Sequence, residues 1–337
     1  MNFHDYLIQA KNGSLPMAAA EAAFDAILDG QAEAADIGRF LIMLAERGES
    51  AGELVGLARS LRRHAASFAV PGETIDVCGT GGDGGQTPNI STAVGFVVAG
   101  CGVPVAKHGN RAVSSRSGSA DVLEALGVKI DAAPELSRRA LLETNICFLF
   151  APFYHPAMRH VSAVRRELGR RTIFNLAGPL ANPASPRRQL IGVYSRDWLR
   201  PMAETLHLLG SGRAWIVHGR DGLDEISTMA LTEGVDMNGG EMTSFTIDPA
   251  EYGLQLNEPE QLKGGDAAVN AATIMKFLQG TPGVFHDIVV VNAAAALVIA
   301  GRAANMREGI AAAKDSVADG RARAALEALV AITNEKP

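Results

Sequence analysis

The chain contains few cysteines, few aromatic residues and no strong excess of charge of either sign. Its 337 residues include three cysteines, 5% aromatic residues and a formal net charge of −6. The cysteines lie in apolar surroundings without the spacing of metal ligands, so we expect reduced core residues of a cytoplasmic protein. The acidic balance gives no general electrostatic footprint for DNA or RNA. We therefore expect no nucleic acid partner.

Long apolar runs are also missing. The longest, such as 288–300, carries the polar residue Asn292 and is too short to span a bilayer. The first residues, Met-Asn-Phe-His-Asp, do not show the basic region and apolar core of a signal peptide. We therefore expect no membrane partner. The chain is nevertheless 47% hydrophobic, which suits a substantial core, and its length favours about two domains.

The periodicity of the apolar residues changes near residue 70. Residues 1–70 show helical patterns only. From Thr74 onward, predicted strands alternate with predicted helices, which indicates a mostly parallel sheet covered by helices. We expect an α/β protein with a small all-helical domain and a large α/β domain. The predicted small domain is 1–70 with 156–185 packed against it, and the predicted large domain is 71–155 and 186–337.

A glycine-rich segment, 79–92, separates a predicted strand at 74–78 from an apolar helix that begins at about 89–92. Glycines let a backbone approach a ligand closely, and a helix start offers free N–H groups to phosphate. The glycines alone would favour an ordinary βα turn, and they fit neither the Walker nor the Rossmann spacing. The order of the polar residues, with Ser91 and Thr92 at the helix start, favours a phosphate cradle.

A second polar loop, predicted at 107–119, follows a predicted strand at 103–106. It carries three cations, Lys107, Arg111 and Arg116, among small residues and hydroxyls. A solvated surface loop explains such a segment when it stands alone. Both polar loops fall on the carboxyl edge of the predicted sheet, where α/β proteins bind ligands. Together they favour an anion site.

Adjacent carboxylates, Asp224 and Glu225, follow a predicted strand at 213–218. Carboxylate oxygens on a loop can hold Mg²⁺, which keeps waters and substrate phosphates as its other ligands. A turn with solvated acids is the better explanation for an isolated pair. Beside two predicted phosphate loops, Mg²⁺ becomes the better one.

Four further side chains are candidates for the wall of a pocket. Arg165 and Arg166 lie on a predicted helix, and an arginine fork suits a carboxylate, although a solvated helix face is equally consistent with the spacing. His108 and His155 can line an acceptor pocket, and packed or solvated histidines are equally consistent. The sequence shows no Ser-His-Asp or Cys-His arrangement, so covalent catalysis has no support.

Several ordered motifs resemble those of the anthranilate phosphoribosyltransferase family, from the first helices almost to the last residues. The motifs are Gly79-Thr-Gly-Gly-Asp83, Asn89-Ile-Ser-Thr92, Lys107-His-Gly-Asn-Arg-Ala-Val-Ser114, Ser117-Gly-Ser-Ala-Asp121, His155-Pro-Ala-Met158, Arg171-Thr-Ile-Phe-Asn-Leu-Ala-Gly-Pro-Leu-Ala-Asn-Pro183 and Asp224-Glu225. One departure is Pro88, where the family more often has an aromatic or aliphatic residue. We expect a stiffer loop there, because proline fixes its own φ and restricts the residue before it.

The resemblance implies an enzyme that moves the phosphoribosyl group of phosphoribosyl pyrophosphate (PRPP) onto the amine of anthranilate, in tryptophan biosynthesis. It implies Mg²⁺ as the cofactor and a homodimer formed through the helical domain. There are two alternatives: a pyrimidine nucleoside phosphorylase-like enzyme and a non-catalytic nucleic-acid-binding relative of the same fold. The motifs favour the transferase, and the intact carboxylate pair and acidic balance disfavour the nucleic-acid-binding relative.

The resemblance also implies a role for individual residues. The implied PRPP-binding residues are Gly79, Gly82, Asp83, Thr87, Asn89, Ser91, Thr92, Lys107 and Ser119. The implied anthranilate-binding residues are Gly79, His108, Asn110, His155, Arg165 and Gly178. The implied metal ligands are Ser91, Asp224 and Glu225, and the implied catalytic residues are Asp83, Lys107, Asn110 and Arg165.

Overall fold

The protein is described by a computed structural model that covers residues 2–70, 72–81, 87–112, 116–254 and 257–336. The first part of the chain is helical, as predicted. Its helices are α1 (Phe3–Asn12), α2 (Met17–Leu28), α3 (Ala34–Arg47) and α4 (Ala51–Arg63). Helix α4 begins with a capping box, in which Ser50 and Glu53 satisfy each other's backbone N–H groups. Ile37, Phe40, Leu41 and Leu44 have the spacing of one helical face, and this face of α3 is buried.

A seven-stranded sheet forms the centre of the large α/β part. Its strands are β1 (Ile75–Gly79), β2 (Val105–Gly109), β3 (Ile146–Phe150), β4 (Arg188–Gly192), β5 (Arg213–Gly219), β6 (Thr232–Asn238) and β7 (Glu241–Ile247). The strand order is β3-β2-β1-β4-β5-β6-β7. The first five strands in this order are parallel, and β6 and β7 are antiparallel. The predicted α/β fold with a mostly parallel sheet is confirmed.

The remaining helices follow and connect these strands. They are α5 (Ile90–Gly100), α6 (Ser119–Ala125), α7 (Pro134–Thr144), α8 (Ala151–Tyr154), α9 (Arg159–Leu168), α10 (Phe174–Ala177), α11 (Leu199–Leu208), α12 (Ala267–Leu278), α13 (Val284–Ile299), α14 (Met306–Ala318) and α15 (Arg321–Thr333). One face of the sheet packs against the apolar helices α5 and α13. The other face packs against α11 and the N-terminal helices. Both faces are therefore covered, as parallel sheets require.

Helix α9 lies where residues 156–185 are predicted to return to the first helices. It contacts α2 and α3, and its Val161 and Val164 are buried in the same apolar cluster as those helices. That cluster also includes Ile191 and Ile216 on the sheet. The packing follows the expectation, while the division of the chain into two domains stays a prediction.

Several elements differ from the sequence prediction. Strand β2 runs through Lys107 and His108, which the sequence analysis placed in a loop. Their backbones pair with a neighbouring strand and their side chains are buried, so polarity alone was misleading. The sequence predicts a helix over 291–300, and the structure begins this helix, α13, at Val284, so that the polar residues His286 and Asp287 belong to its first turn. Strand β6 and helix α15 were not predicted.

Candidate active site

The glycine-rich segment leaves strand β1 at the carboxyl edge of the sheet. The N–H of Thr80 donates to the carbonyl of Gly192 at 2.9 Å, and its hydroxyl accepts from the N–H of Tyr194 at 3.1 Å. These bonds tie the start of the segment to the end of strand β4. The predicted residues Gly82 and Asp83 lie outside the described residues.

Helix α5 begins where the sequence predicts, with Asn89 as its N-cap. Ser91 and Thr92 lie in its first turn, where the N–H groups have no partner within the helix. Thr92 is completely buried, and its hydroxyl finds no hydrogen-bond partner within the described ranges. The helix start therefore offers N–H and hydroxyl groups to an anion at the sheet edge.

Lys107 points from strand β2 toward this helix start. Its side chain is buried, and its Nζ donates to the carbonyl of Val77 at 2.7 Å and to the hydroxyl of Ser91 at 3.2 Å. The Asp76 carboxyl is completely buried nearby; burial raises its pKa and the charge of Lys107 opposes that shift. A fixed positive charge thus lies beneath the first turn of α5.

Asp224 reaches the same edge from the loop after strand β5. Its carboxylate is buried and accepts from the N–H of Gly81 at 2.7 Å. A Cβ atom on Gly79 would overlap that carboxylate, and one on Gly192 would overlap the backbone carbonyl of Asp224. These glycines therefore allow the loop to approach strands β1 and β4, and Glu225 follows it half-buried.

Within the described ranges, no cluster of three or more His, Cys, Asp and Glu side chains is placed to hold a metal ion. The metal ligands predicted from the sequence are the carboxylates of Asp224 and Glu225 and the hydroxyl of Ser91. All three donors are oxygen atoms, and oxygen is the ligand that Mg²⁺ prefers. The donor set fits this cation better than it fits Zn²⁺, which favours nitrogen and sulfur.

The second polar loop carries less free charge than predicted. The guanidinium of Arg111 donates to Asp121 at 2.9 Å and to Glu124 at 2.8 Å. The hydroxyl of Ser119 donates to the carbonyl of Asn110 at 3.4 Å, and the Asn110 side chain accepts from the N–H of Arg111. Hence Arg111 is neutralised locally, while Asn110 and Ser119 are held together at the end of strand β2.

His108, His155 and Gly178 lie together on the other side of strand β2. The two imidazole rings meet edge to face with 5.3 Å between their centroids, and His108 Nδ1 lies 3.3 Å from the carbonyl of Gly178. Burial, with a smaller effect from His155, lowers the pKa of His108 to about 3. Burial also lowers the pKa of His155. Both rings are therefore neutral near pH 7.

Arg165 lies on helix α9 and packs against the chain segment that leads to Gly178. Its guanidinium carbon lies 5.3 Å from the centroid of the Phe174 ring, and Phe174 begins the short helix that ends just before Gly178. Arg165 is half-buried and has no ion-pair partner in the described part of the chain, whereas Arg166 is exposed. The described contacts do not join Arg165 to Asn110 or to the histidines. This cation therefore packs against the Phe174 ring, which begins the short helix that precedes Gly178.

Comparison with known proteins decides the family. The helical bundle domain of the glycosyl transferase family matches residues 8–65, and its a/b domain matches residues 71–323. The anthranilate phosphoribosyltransferase of Azospirillum brasilense is 52% identical over 325 residues, covering 96% of this chain and 91% of that protein. The chain belongs to the anthranilate phosphoribosyltransferase family.

Solved structures of anthranilate phosphoribosyltransferases superpose over nearly the whole chain. The Thermus thermophilus structure has a TM-score of 0.93 and 41% identity, covering 99% of this chain and 100% of its own. The Saccharomyces cerevisiae enzyme in complex with PRPP and Mg has a TM-score of 0.90 and 28% identity, covering 98% of this chain and 97% of its own. The resemblance carried by the motifs and the predicted transferase class are confirmed. None of the described helices is both long and apolar enough to cross a membrane.

The sequence did not reveal two buried amide residues that hydrogen-bond to segments carrying the site. Asn292 of α13 accepts from the N–H of Ile226 at 2.9 Å and donates to its carbonyl at 2.8 Å, which fixes the residue after Glu225. Asn182 donates to Asp76 at 2.8 Å. A lone amide in an apolar stretch must find hydrogen bonds when buried, so Asn292 was the visible signal.

Proposed function

We propose that this protein transfers the 5-phosphoribosyl group from PRPP to the amine of anthranilate. The products are N-(5-phosphoribosyl)anthranilate and pyrophosphate, in tryptophan biosynthesis. One observation carries the proposal. The hydrogen bonds described above bring together, at one edge of the sheet, Gly79–Gly81, Ser91, Lys107 and Asp224. The yeast relative in complex with PRPP and Mg supports the same assignment.

The sugar diphosphate binds at the start of helix α5. Its groups face backbone N–H groups, hydroxyls and a buried ammonium, which together suit a polyanion. The proposed PRPP-binding residues are Gly79, Gly82, Asp83, Thr87, Asn89, Ser91, Thr92, Lys107 and Ser119.

Mg²⁺ is the proposed cofactor, held by Ser91, Asp224 and Glu225. The fixed Asp224 carboxylate, bonded to Gly81, and the Ser91 hydroxyl supply hard oxygen donors near the two ends of segment 79–92, which we call the PRPP-binding loop. When bound, the ion neutralises charge on a diphosphate. Because the N–H of Gly81 already orients Asp224, little reorganisation of this residue is needed.

Anthranilate is proposed to bind beside strand β2, within reach of Gly79, His108, Asn110, His155, Arg165 and Gly178. Arg165 pairs with its carboxylate, because the guanidinium has no ion-pair partner among the described residues. The neutral histidines form a wall that does not protonate the amine. The amine therefore stays an uncharged nucleophile.

The reaction is proposed to be a displacement at the anomeric carbon with oxocarbenium character. The bond from this carbon to the diphosphate oxygen breaks, the bond to the anthranilate nitrogen forms, and the nitrogen loses a proton to solvent. Lys107 and the N–H groups of the loop stabilise charge that develops on the leaving diphosphate. Positioning of the two substrates supplies the remaining acceleration, since no side chain is assigned as a base.

The proposed assembly is a homodimer formed through the helical domain, with 1–70 and 156–185 moving against the rest of the chain. The proposed compartment is the cytoplasm. All three cysteines are free, which suits a reducing compartment.

Loss of anthranilate fluorescence on addition of PRPP and Mg²⁺ tests the proposed function. We expect turnover that requires both additions. Arsenolysis or phosphorolysis of a pyrimidine nucleoside tests the phosphorylase alternative, and a salt-dependent shift of DNA tests the binding alternative. Nucleoside cleavage or DNA binding without anthranilate turnover would overturn the proposal.

A further inference from the structure

Asn270, in the first turn of helix α12, places a buried amide between two loops. Its side chain is only 2% exposed. Its Nδ2 donates to Oδ1 of Asn89 at 3.0 Å, and its Oδ1 accepts from the N–H of Gly265 at 2.8 Å. Both ends of the amide are therefore used, and one end is directed at a proposed PRPP-binding residue.

The side chain of Asn89 also forms a hydrogen bond to the second polar loop. Its Nδ2 donates to the carbonyl of Ser117 at 3.1 Å. A chain of three hydrogen bonds thus runs from Gly265 through Asn270 and Asn89 to Ser117. An amide keeps a further N–H and a further lone pair when each end makes one bond. Asn89 therefore remains able to contact a ligand while its orientation is fixed.

The backbone of the segment before α12 packs directly behind the PRPP-binding loop. A Cβ atom on Gly264 would lie 2.6 Å from the carbonyl oxygen of Thr87 and 2.8 Å from the nitrogen of Pro88. Real Cβ atoms essentially never come so close, so glycine is needed at this position. Pro88 has no N–H to bond with a neighbour. Residues 87–89 are therefore held in place by the close packing of Gly264 and by the hydrogen bond from the Asn270 amide.

We infer that Asn270 is a positioning residue for PRPP, which acts through Asn89 and does not touch the substrate itself. The inference rests on the proposed function. Asn270 fixes the amide at the start of helix α5, and this amide also sets the spacing between the first and second polar loops. The contacts of Arg165 and the two histidines do not involve Asn270. Its loss should therefore weaken PRPP binding and leave anthranilate binding unchanged.

The substitution Asn270→Asp separates this role from a merely structural one. The carboxylate keeps the shape of the side chain and can still accept from the N–H of Gly265. It presents an acceptor to Oδ1 of Asn89, which is also an acceptor. Asn89 must then move away, which weakens its bond to Ser117, or turn its amide over, which removes that bond. Loss of hydrogen bonds of this kind corresponds to about a ten-fold change in affinity.

The experiment compares wild type, Asn270→Asp and the control Thr273→Val by calorimetric titration of the full-length protein with PRPP and Mg²⁺. Thr273 lies on the same helix, and within the described part of the chain its hydroxyl donates to the carbonyl of Val269 alone. We expect about ten-fold weaker PRPP binding for Asn270→Asp and wild-type binding for the control. In steady-state assays, KM for PRPP should rise by a similar factor, while KM for anthranilate changes less than about two-fold.

A double-mutant cycle with Asn89→Ala completes the test. We expect Asn270→Asp to add little in the Asn89→Ala background, because the two side chains act as one unit. An undiminished effect there, an equal rise in both KM values, or unchanged PRPP affinity in a less stable variant would each overturn the inference. Binding of PRPP by a wild-type protein that does not consume anthranilate would count against the proposed function alone.

Discussion

The diphosphate side and the acceptor side of the proposed site are built differently. On the diphosphate side, Lys107, Asn89 and Asp224 are each fixed by hydrogen bonds to a second chain segment. On the acceptor side, His108 makes one such bond, and within the described ranges neither ring nitrogen of His155 has a partner of ordinary hydrogen-bond geometry. These three side chains of the diphosphate side are thus oriented before any substrate binds, although the Thr92 hydroxyl beside them is unpaired among the described residues. The two histidines of the acceptor side have fewer such bonds.

This difference follows from the charge that each side must handle. A leaving diphosphate develops charge, and donors that are already oriented stabilise it without reorganisation. An aromatic amine is uncharged, so its pocket needs shape and one countercharge for the carboxylate. Burial keeps His108 neutral, and in our proposal Arg165 is the cation on that side. The comparison predicts that substitutions on the diphosphate side reduce turnover most.

Lys107→Met should have the largest effect. The substitution keeps the buried aliphatic chain and removes the ammonium beneath the Ser91 hydroxyl. We expect kcat/KM for PRPP to fall about 10³-fold, comparable to the loss of a preorganised donor. The free energy of unfolding, measured by urea denaturation, should also fall because the buried Asp76 loses its opposite charge. A folded variant with nearly wild-type kcat/KM would contradict the role of this cation.

The double substitution Asp224→Asn and Glu225→Gln should have the next largest effect. It keeps the shape of the loop and removes both anionic ligands. We expect a loss of about 10²-fold in activity and no further stimulation by Mg²⁺. A Mg²⁺ titration of turnover measures this, with the exposed Asp131→Asn as the control. Undiminished Mg²⁺-dependent turnover in the double variant would refute the metal assignment.

Arg165→Ala should have a smaller effect, confined to the acceptor side. The lost guanidinium pairs with the anthranilate carboxylate in our proposal, so KM for anthranilate should rise about ten-fold or more. KM for PRPP should stay within about two-fold. The neighbouring Arg166→Ala is a matched control, because Arg166 is exposed. Similar kinetics for the two variants would remove Arg165 from the site.

The order of motifs along the chain was sufficient to predict the fold, and it predicts that the site lies at the carboxyl edge of the sheet. Glycine, hydroxyl and carboxylate residues followed predicted strands, and parallel strands end at one edge. Lys107 and His108 were placed in a loop because a buried lysine in a strand is not visible from polarity. In the fold, the buried ammonium of Lys107 donates to the carbonyl of Val77 on the neighbouring strand, 30 residues earlier in the sequence.

Long-range amide contacts also lay beyond the sequence. Asn270 and Asn89 are 181 residues apart, and no local pattern connects them. Strand β6 was missed because Glu233 and Asp236 look like loop residues. In the fold, Arg220 pairs with Glu233 at 2.8 Å and Arg213 pairs with Asp236 at 2.8 Å. Cross-strand ion pairs of this kind appear only after the sheet has been assembled.

The smallest expected effect is on the free energy of unfolding at low pH, through the buried His108 of the acceptor side. The pKa of His108 is lowered from 6.5 to about 3, so between these values the unfolded chain binds a proton that the folded chain does not. Stability is therefore lost as the pH falls below 6.5, by about 1 kcal/mol at pH 5.5 for this one group. His108→Gln should flatten the dependence of the unfolding free energy on pH, whereas the exposed His4→Gln should not. An equal slope in wild type and His108→Gln would mean that the histidine is solvated, and the contrast between the two sides would then disappear.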